Sequence, residues 1–421
     1  MFSTIKRVPF SLTVSTIAGT FLALSTASAR ADDLAQLSLR QAVARALARN
    51  PLVVESVLEW RRTQGAAEGV AGVLAENPVI NVEGGIHRDQ GFAGNEAALS
   101  LRVEQPLDLL GQAESRRQAA HGAVEWSRSR LALVRAEIAA RTHGLYVAAQ
   151  VALARIALCD ERVTTARQTA QALQMRVRVG ASSDIDLGMA EAEAGRAEAA
   201  MHGARAQATR SFLALRDLLD LPAQEAAVPS DALMPPPARL PARTNPEQLL
   251  AHHLAVQAVE RRRLAIDAEI ARLERERMPR IAIALSAERP SEYEKFWGLG
   301  LSFAPALWRR NQAPLAEARI ERERAEVERT TTLAGLERRL TALVEEQSLR
   351  LRELEAVEAT LRNEQSVRAL VRAGWQAGKF DFLRMLLAER SVADTQQTRL
   401  DMWAELWTNV IEMNRLLGEE P

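Results

Sequence analysis

The chain has 421 residues, enough for two or three domains, and its 54 basic residues equal its 54 acidic residues. This balance argues against a nucleic-acid-binding protein, which usually carries a clear excess of basic residues. Aromatic residues make up only 4% of the sequence, and alanine, leucine, glutamate and arginine dominate. Such a composition is typical of long helices and coiled coils.

The first 31 residues have the plan of a secretory signal peptide. Lys6 and Arg7 precede an apolar stretch, residues 11–24, and small residues then offer a cleavage site. A membrane anchor is the alternative, but the apolar stretch is short and rich in serine and threonine. Cys159 is the only cysteine, so we expect no intrachain disulfide and no lipid-bearing cysteine. No later run of about 18 apolar residues predicts a transmembrane helix.

The remaining sequence consists of two halves with the same plan, residues 32–222 and 247–421, joined by a proline-rich linker at 223–246. Each half contains a helix that runs up to a proline, two alternating segments, a very long helix, a glycine and a return helix. The matched landmarks have nearly constant offsets: Pro78 and Pro279 are 201 residues apart, Pro106 and Pro305 are 199 apart, and Gly180 and Gly378 are 198 apart. So steady an offset indicates an internal duplication.

The alternating segments predict four strands, each with one apolar face, at 79–87, 97–105, 281–288 and 296–304. In the second segment Leu99, Leu101 and Val103 share one face, and the segment stops at Pro106. Each segment has about nine residues, the length of a tilted membrane-spanning strand. An ordinary half-buried hairpin is the alternative interpretation.

The long helices carry more than one apolar seam. Residues 107–179 would span about 110 Å as a single helix, at about 1.5 Å per residue. In the second half, leucines repeat at the three-four spacing of a heptad pattern, and further apolar residues such as Leu349 lie off that stripe. A helix with two apolar seams packs against neighbours on both sides, which suits a closed cylinder of helices better than a two-stranded rod.

Gly180 and Gly378 each interrupt one of these long helical patterns. Glycine ends a helix at little cost because it readily adopts a positive φ. Candidate N-caps for the following helix come next in the sequence: Ser182, Ser183 and Asp184 in the first half, and Asp381 in the second. We therefore predict that each glycine closes a tight helical hairpin. A glycine tolerated within one continuous helix is the alternative.

Four strands per chain cannot close a membrane barrel, because about eight is the smallest number known to do so. Open strand edges are not tolerated in lipid, so several chains must pool their strands. We therefore predict a mainly α protein with a small membrane β-part. Its strands form a barrel in an outer membrane, and its long helices continue that barrel as a cylinder ending at the glycine hairpins.

The duplicated plan and the stretches NPVINVEGG, LSLRVEQPLDLLGQ and RVRVGASSDIDLGMAEAE resemble the TolC-type outer-membrane efflux proteins, over residues 37–418. The resemblance implies a homotrimeric α/β-barrel with twelve strands and a long periplasmic helical tunnel. It also implies two partners, a periplasmic adaptor (membrane-fusion) protein and an inner-membrane RND-type pump. Length, helix composition and the missing lipid-bearing cysteine are most similar to the heavy-metal branch, which exports cobalt, zinc, cadmium or nickel. Efflux of drugs or other organic compounds is the alternative.

In this family the hairpin tips form the periplasmic mouth, which rests closed and meets the adaptor. The resemblance therefore assigns adaptor contact to residues at both tips: Arg176, Gly180, Ser182, Ser183, Asp184, Gly378, Lys379 and Phe380. Family members can carry acidic residues six and nine positions after the second glycine, where this chain has Arg384 and Leu387. This departure leaves Asp381 as the acidic candidate for the gate. Asp186 is then a candidate ion-pair partner of Arg384, with two solvated surface charges as the alternative.

The sequence carries no motif for catalysis or for a cofactor, so we expect a protein that is not an enzyme. Its six histidines lack the i, i+4 spacing or the neighbouring cysteine of a helical zinc site, and we predict no metal site. Two further classes of protein fit less well. A periplasmic adaptor would carry one hairpin among small β-domains, and a coiled-coil rod has no use for four strands.

Overall fold

A computed structural model describes residues 35–70, 74, 76–88, 95–223, 225, 227–237, 250, 253–289, 295–308 and 310–418 of the chain. The predicted signal peptide and part of the proline-rich linker lie outside the described residues, so both remain predictions.

The order of helix, two strands and two long helices occurs twice. The first half contains β1 (Ala35–Leu37), α1 (Leu39–Arg49), α2 (Pro51–Glu68), β2 (Val79–Arg88), β3 (Asn95–Leu107), α3 (Gln112–Arg178) and α4 (Asp184–Leu218), and β4 (Ala227–Pro229) follows in the linker. The second half contains α5 (Leu254–Arg275), β5 (Arg280–Arg289), β6 (Phe296–Ala304), α6 (Gln312–Gln376) and α7 (Phe382–Leu417). The mainly helical fold with a small β-part is as predicted.

The first helical stretch is divided, whereas the sequence predicted one stretch up to Pro78. Asn50 ends α1 and also caps α2, because its side-chain oxygen accepts a hydrogen bond from the Leu52 N–H at 3.0 Å. Pro51 then occupies the first position of α2, where its missing N–H is not needed. The helix ends at Glu68, ten residues before Pro78.

The four long strands form one antiparallel sheet in the order β2-β3-β5-β6. The register aligns apolar residues on one face: Val82 is opposite Leu101, and Ile283 is opposite Leu301. The side chains of this face are exposed in the single chain, up to 81% for Leu301. Because side chains alternate along a strand, the register places mainly small, polar and charged residues on the other face, among them Asn81, Glu83, Ser100, Arg102, Glu104, Ser286 and Glu288.

β2 and β6 are the edge strands of this sheet, and each is paired on one side only within the described residues. A wide exposed apolar face and two unpaired edges are both unfavourable in water. The sheet therefore requires further strands at its edges and an apolar environment on the face that carries Leu101 and Leu301.

The strands begin and end within two residues of their predicted positions. The prediction that the second strand stops before Pro106 is wrong, because β3 continues to Leu107 and Pro106 lies opposite Ala282. A proline is tolerated in a strand where the ladder does not use its missing N–H.

α3 is the central helix of the fold. It spans 67 residues, about 100 Å at about 1.5 Å per residue. It contacts α2 and α5 as well as α4 and α7. At its sheet-proximal end, Gly122 lets the backbone of α5 approach, since a Cβ there would lie 3.1 Å from the Cα of Ala265. Further along, Cys159, Val163 and Ala166 pack against α4.

Contrary to our expectation, one described helix is long and apolar enough to cross a membrane by length and composition. It is α3, and half of the stretch concerned is buried inside the protein. That burial is typical of a core helix, in keeping with the position of α3 between its neighbours. We therefore read this stretch as part of the protein core.

Candidate functional site

The two glycines end their helices in the same way. Gly180 has a φ of +71°, and its N–H donates to the Val177 carbonyl at 2.9 Å, while the Ala181 N–H donates to the Arg176 carbonyl at 2.8 Å. These two bonds form a Schellman motif. The predicted helical hairpin at this glycine is confirmed.

The second tip repeats the motif. Gly378 has a φ of +72° and donates to the Trp375 carbonyl at 3.0 Å, while the Lys379 N–H donates to the Gly374 carbonyl at 2.8 Å. Any other residue at either glycine would hold a left-handed conformation at a cost of about 1 kcal/mol. The same local backbone hydrogen bonds and the same positive φ therefore form both hairpin tips.

The return helices begin at side-chain caps. Of the three candidates in the first half, Ser183 is the N-cap of α4: its hydroxyl accepts from the Asp186 N–H at 3.1 Å. Asp184 is the first helical residue, where a negative charge stabilises the positive end of the helix dipole. In the second half Asp381 is the N-cap, as predicted, and its carboxylate accepts from the Arg384 N–H at 3.1 Å.

Asp186 and Arg384 do not form an ion pair within the described chain. The carboxylate of Asp186 accepts a hydrogen bond from the Ser183 backbone N–H at 3.3 Å, which completes a capping box, and another from the Ser183 hydroxyl at 2.9 Å. Arg384 instead lies 3.9 Å from Asp381 and 5.7 Å above the ring of Phe380. Each of these two side chains interacts with residues of its own hairpin. Such local interactions are favoured because they fix few additional side-chain rotamers.

Phe380 organises the second tip. Its ring lies against Gly374, where a Cβ atom would overlap the ring carbons. The guanidinium of Arg384 also lies over this ring, and 38% of Phe380 is exposed. Lys379 is exposed beside it. Leu387, at the position where family members can carry an acid, is 55% exposed.

Arg176 connects the two tips. Its guanidinium carbon lies 4.4 Å from the centroid of the Trp375 ring, a cation–π contact. Its terminal nitrogens donate to the carbonyls of Trp375 and Gln376, both at 3.5 Å. These carbonyls end α6, where a positive charge stabilises the helix dipole. Sequence analysis grouped Arg176 with residues that contact an adaptor, and it did not single out Trp375.

An apolar cluster lies directly above the tips and brings four helices together. It contains residues from α3, α4, α6 and α7: Leu173, Ala190, Trp375, Phe382, Met385 and Leu386. Other apolar side chains at the tips remain exposed, among them Val179 at 78% and Ile185 at 74%. Val179 directly precedes Gly180 and Ile185 follows it by five residues, and this position in a hairpin tip was a signal for exposure that sequence analysis did not use.

One buried carboxylate joins the two hairpins above this cluster. Glu193 of α4 is only 7% exposed. It accepts hydrogen bonds from Arg162 of α3 at 2.8 Å, from Arg390 of α7 at 2.9 Å and from Arg196 at 3.2 Å. Burial alone would raise the pKa of this carboxyl, but the hydrogen bonds from Arg162 and Arg390 outweigh it and hold the pKa below its usual value of 4.5.

Comparison with known proteins matches both halves of the chain to one protein family. The family model described as outer membrane efflux protein matches residues 42–220 and 245–419, so each half is matched separately. The chain is similar to the cobalt-zinc-cadmium resistance protein CzcC of Cupriavidus metallidurans, with 26% identity over 325 residues, which covers 76% of this chain and 77% of CzcC.

Solved structures share the fold at low sequence identity. CusC, in crystal structures concerned with folding and transmembrane channel formation, superposes with a TM-score of 0.73 at 20% identity, covering 92% of this chain and 93% of CusC. The MtrE outer membrane channel of Neisseria gonorrhoeae, in its open state, gives a TM-score of 0.72 at 18% identity, covering 91% and 89%. The fold of this chain is therefore that of the TolC-like outer-membrane channels.

Proposed function

Because the chain belongs to the outer membrane efflux protein family, we propose that it is the outer-membrane channel of a tripartite efflux system. Its partners are a periplasmic adaptor protein and an inner-membrane RND-type pump. The single observation that carries this proposal is the four-stranded sheet, with its exposed apolar face, its mainly polar opposite face and its two unpaired edges. Such a sheet suits one sector of a membrane barrel.

The assembly follows from the sheet edges. β6 of one copy pairs with β2 of the next, so that no edge faces lipid. Two copies would supply eight strands and three would supply twelve. We propose three copies, since the resemblance to TolC-type proteins implies a homotrimer. The apolar face then contacts the outer membrane, and the mainly polar face lines the pore.

The helices extend from the sheet into the periplasm. Both long helices, α3 with 67 residues and α6 with 65, start just after a strand and end at a hairpin tip. A length of about 100 Å places the tips far from the membrane. The predicted signal peptide supports export of the chain to the periplasm. We also propose the two-repeat plan with a linker at 223–246.

We propose that the transported substrates are divalent heavy-metal cations, namely cobalt, nickel, zinc and cadmium. The support comes from the likeness to CzcC, a protein named for cobalt-zinc-cadmium resistance. A channel need not bind its substrate tightly, because slow release would limit conduction. Efflux of organic compounds is the second candidate function, since related folds alone do not set the substrate.

The hairpin tips are proposed as the periplasmic mouth. Asp186, Asp381, Arg384 and Leu387 would line or control it, and the exposed parts of both tips would meet the adaptor: Gly180, Ser182, Ser183, Asp184, Gly378, Lys379 and Phe380. Arg176 has a different proposed role. Its contacts with α6 hold the two tips of one chain together, so its effect on an adaptor would be indirect.

The experiment that tests the function is a comparison of a host with and without this protein. Growth is measured in nickel, cobalt, zinc and cadmium, and in organic compounds such as bile salts, with the wild-type chain restored as control. Selective sensitivity to the metals supports the proposal. Sensitivity to organic compounds alone keeps the channel but assigns it the second substrate class. If the protein is absent from the outer membrane and its loss changes neither, the channel function is wrong.

A further inference from the structure

A cavity lies where four helices of one chain meet, and its walls come from α3, α4, α6 and α7. It offers about 60 Å³ to the centres of water-sized molecules. One water needs about 10–15 Å³ by this measure, so the cavity has room for about four to six groups of that size. A small molecule therefore fits inside it.

The apolar part of the wall continues the cluster above the tips. Phe382, Met385 and Leu386 of α7 line the cavity together with Ala166 of α3 and Ala190 of α4. Each of these residues is at most 9% exposed. Such a surface favours an aliphatic group over water, because apolar area gains free energy when it is removed from water.

One carboxylate of the wall already has its hydrogen-bond partners. Glu193 accepts from Arg162 through one oxygen and from Arg390 through the other, and all three residues line the cavity. Both oxygens of this carboxylate therefore have donors within the chain. A second carboxylate of the wall, Glu161, is exposed to solvent.

A second charged pair of the wall is incomplete. Arg368 of α6 and Glu389 of α7 both line the cavity, and their nearest charged atoms are 3.7 Å apart, too far for a hydrogen bond. Arg372 lies 4.0 Å from the same carboxylate. The Oε1 atom of Glu389 is buried and has no hydrogen-bond partner among the described residues. Only 19% of the Glu389 side chain is exposed.

This unbonded pair selects the charge of a ligand. An anion would pair with Arg368 and be repelled by Glu389, and a cation would do the reverse. A zwitterion satisfies both, because a guanidinium binds a carboxylate through two hydrogen bonds and a carboxylate accepts from an ammonium. In an α-amino acid a single carbon joins these two groups, so both reach the neighbouring anchors.

We propose that this cavity binds a small aliphatic α-amino acid. Its carboxylate accepts from Arg368, its ammonium donates to Glu389, and its side chain lies against Phe382, Met385 and Leu386. The bound molecule joins α6 to α7. The site is formed within one chain and does not depend on the proposed channel function.

The first experiment measures binding of radiolabelled L-alanine to the purified wild-type oligomer by equilibrium dialysis in detergent. Two analogues compete with it: ethylamine is L-alanine without the carboxylate, and propionate is L-alanine without the ammonium group. Each should bind at least tenfold more weakly, on the order of what one lost hydrogen bond to a charged group costs. L-Leucine should compete poorly, because it exceeds the size of the cavity. This comparison needs no variant, so it does not depend on how a variant folds.

The second experiment removes the anchors. Arg368→Met and Glu389→Met should each weaken L-alanine binding by about tenfold or more. Glu161→Met is the matched control, since it removes an exposed carboxylate from the same wall, and it should keep the wild-type affinity. L-Alanine should raise the melting temperature of the wild type and of Glu161→Met, because a ligand that binds only the folded chain stabilises it. Outer-membrane abundance and oligomer size show that each variant has folded.

Three results would overturn the inference. If L-alanine does not bind the wild type, the cavity holds water only. If ethylamine or propionate binds as well as L-alanine, a single charge is recognised and the ligand is not a zwitterion. If Glu161→Met loses as much affinity as the two anchor variants, Arg368 and Glu389 do not form the site. Channel current and metal tolerance are not read in these experiments, so their outcome is distinct from that of the proposed function.

Discussion

Arg176 of the first hairpin lies over the indole ring of Trp375 of the second, with 4.4 Å between the guanidinium carbon and the ring centroid. The two residues are 199 positions apart in the sequence, close to the repeat offset, so they occupy nearly equivalent places in the two hairpins. Their contact connects the two hairpin tips of one chain. Its loss should loosen the mouth while the helices above it stay in place.

The variant Arg176→Ala should therefore raise the open time of the channel and lower the free energy of unfolding by about 0.5–2 kcal/mol, the range for a cation–π contact. Arg178→Ala is the matched control, since Arg178 is two residues further along the same helix and is exposed. That change should stay within about 0.5 kcal/mol. Bilayer recordings and thermal melts in detergent measure both effects. Equal behaviour of the two variants would remove the assigned role of Arg176.

Gly374 should tolerate no side chain, because a Cβ there would overlap the ring of Phe380. We expect Gly374→Ala to displace this ring and, with it, Arg384, and to impair efflux. Gly335→Ala is the control in the same helix, where a Cβ has nothing within 4 Å, and it should be neutral or stabilise by about 0.5–1 kcal/mol. Growth in metals and outer-membrane abundance are measured together. Wild-type efflux by Gly374→Ala would mean that the packed position of Phe380 does not matter.

The buried carboxylate of Glu193 should stabilise the junction of the hairpins only while it is ionised. Its pKa lies below 4.5 in the folded chain because the hydrogen bonds from Arg162 and Arg390 outweigh the effect of burial. Stability from a lowered carboxyl pKa is present above the unfolded value and is lost as the pH falls through the folded value. We therefore expect acid to weaken the junction below about pH 4.5.

The variant Glu193→Gln should lose this part of the acid dependence and remove a charge partner from three arginines, of which Arg162 still has Asp394 at 3.9 Å. Breaking such a buried pair costs up to about 3–5 kcal/mol, and partial exposure of the arginines reduces that figure. Glu198→Gln is the control, since Glu198 pairs with Arg167 at an exposed position of the same helix. Melting temperatures between pH 7 and pH 3 provide the measurement. The same pH slope in wild type and Glu193→Gln would contradict the assignment.

His143 should make the fold less stable in mild acid. It is 7% exposed, its ring centroid lies 5.8 Å from that of Trp407, and burial holds its pKa below 6.5. The unfolded chain then binds the proton first, so stability is lost as the pH falls from about 6.5 through the folded pKa. The variant His143→Phe should flatten this dependence between pH 7 and pH 5. If stability depends on pH equally in wild type and His143→Phe, groups other than His143 cause the loss of stability in mild acid.

Local features of the fold were predictable from the sequence. The strands were found because alternation with a period of two is a direct consequence of one buried or lipid-facing side. The hairpins were found because a glycine followed by Ser183 or Asp381 carries its own helix stop and helix start. These signals depend only on residues within a few positions of one another.

Contacts between the repeats were not predictable from one sequence. Trp375 meets Arg176, and Glu193 meets Arg390, because α3 and α4 present particular faces to α6 and α7. When a helix has apolar residues on two sides, its sequence pattern does not determine which side packs against which neighbour. Asp186 and Arg384, a candidate pair with two solvated charges as the alternative, do not pair within the described chain for a related reason. A cap inside the same hairpin uses the carboxylate before a distant partner is available.

The most direct test of an outer-membrane channel built from several copies is the native mass of the protein extracted from fractionated cells in mild detergent. We predict recovery from the outer membrane as an oligomer of three chains, which supplies twelve strands and closes every sheet edge. Recovery as a single chain in the soluble periplasmic fraction would contradict the account, because four strands with an exposed apolar face would then need no barrel.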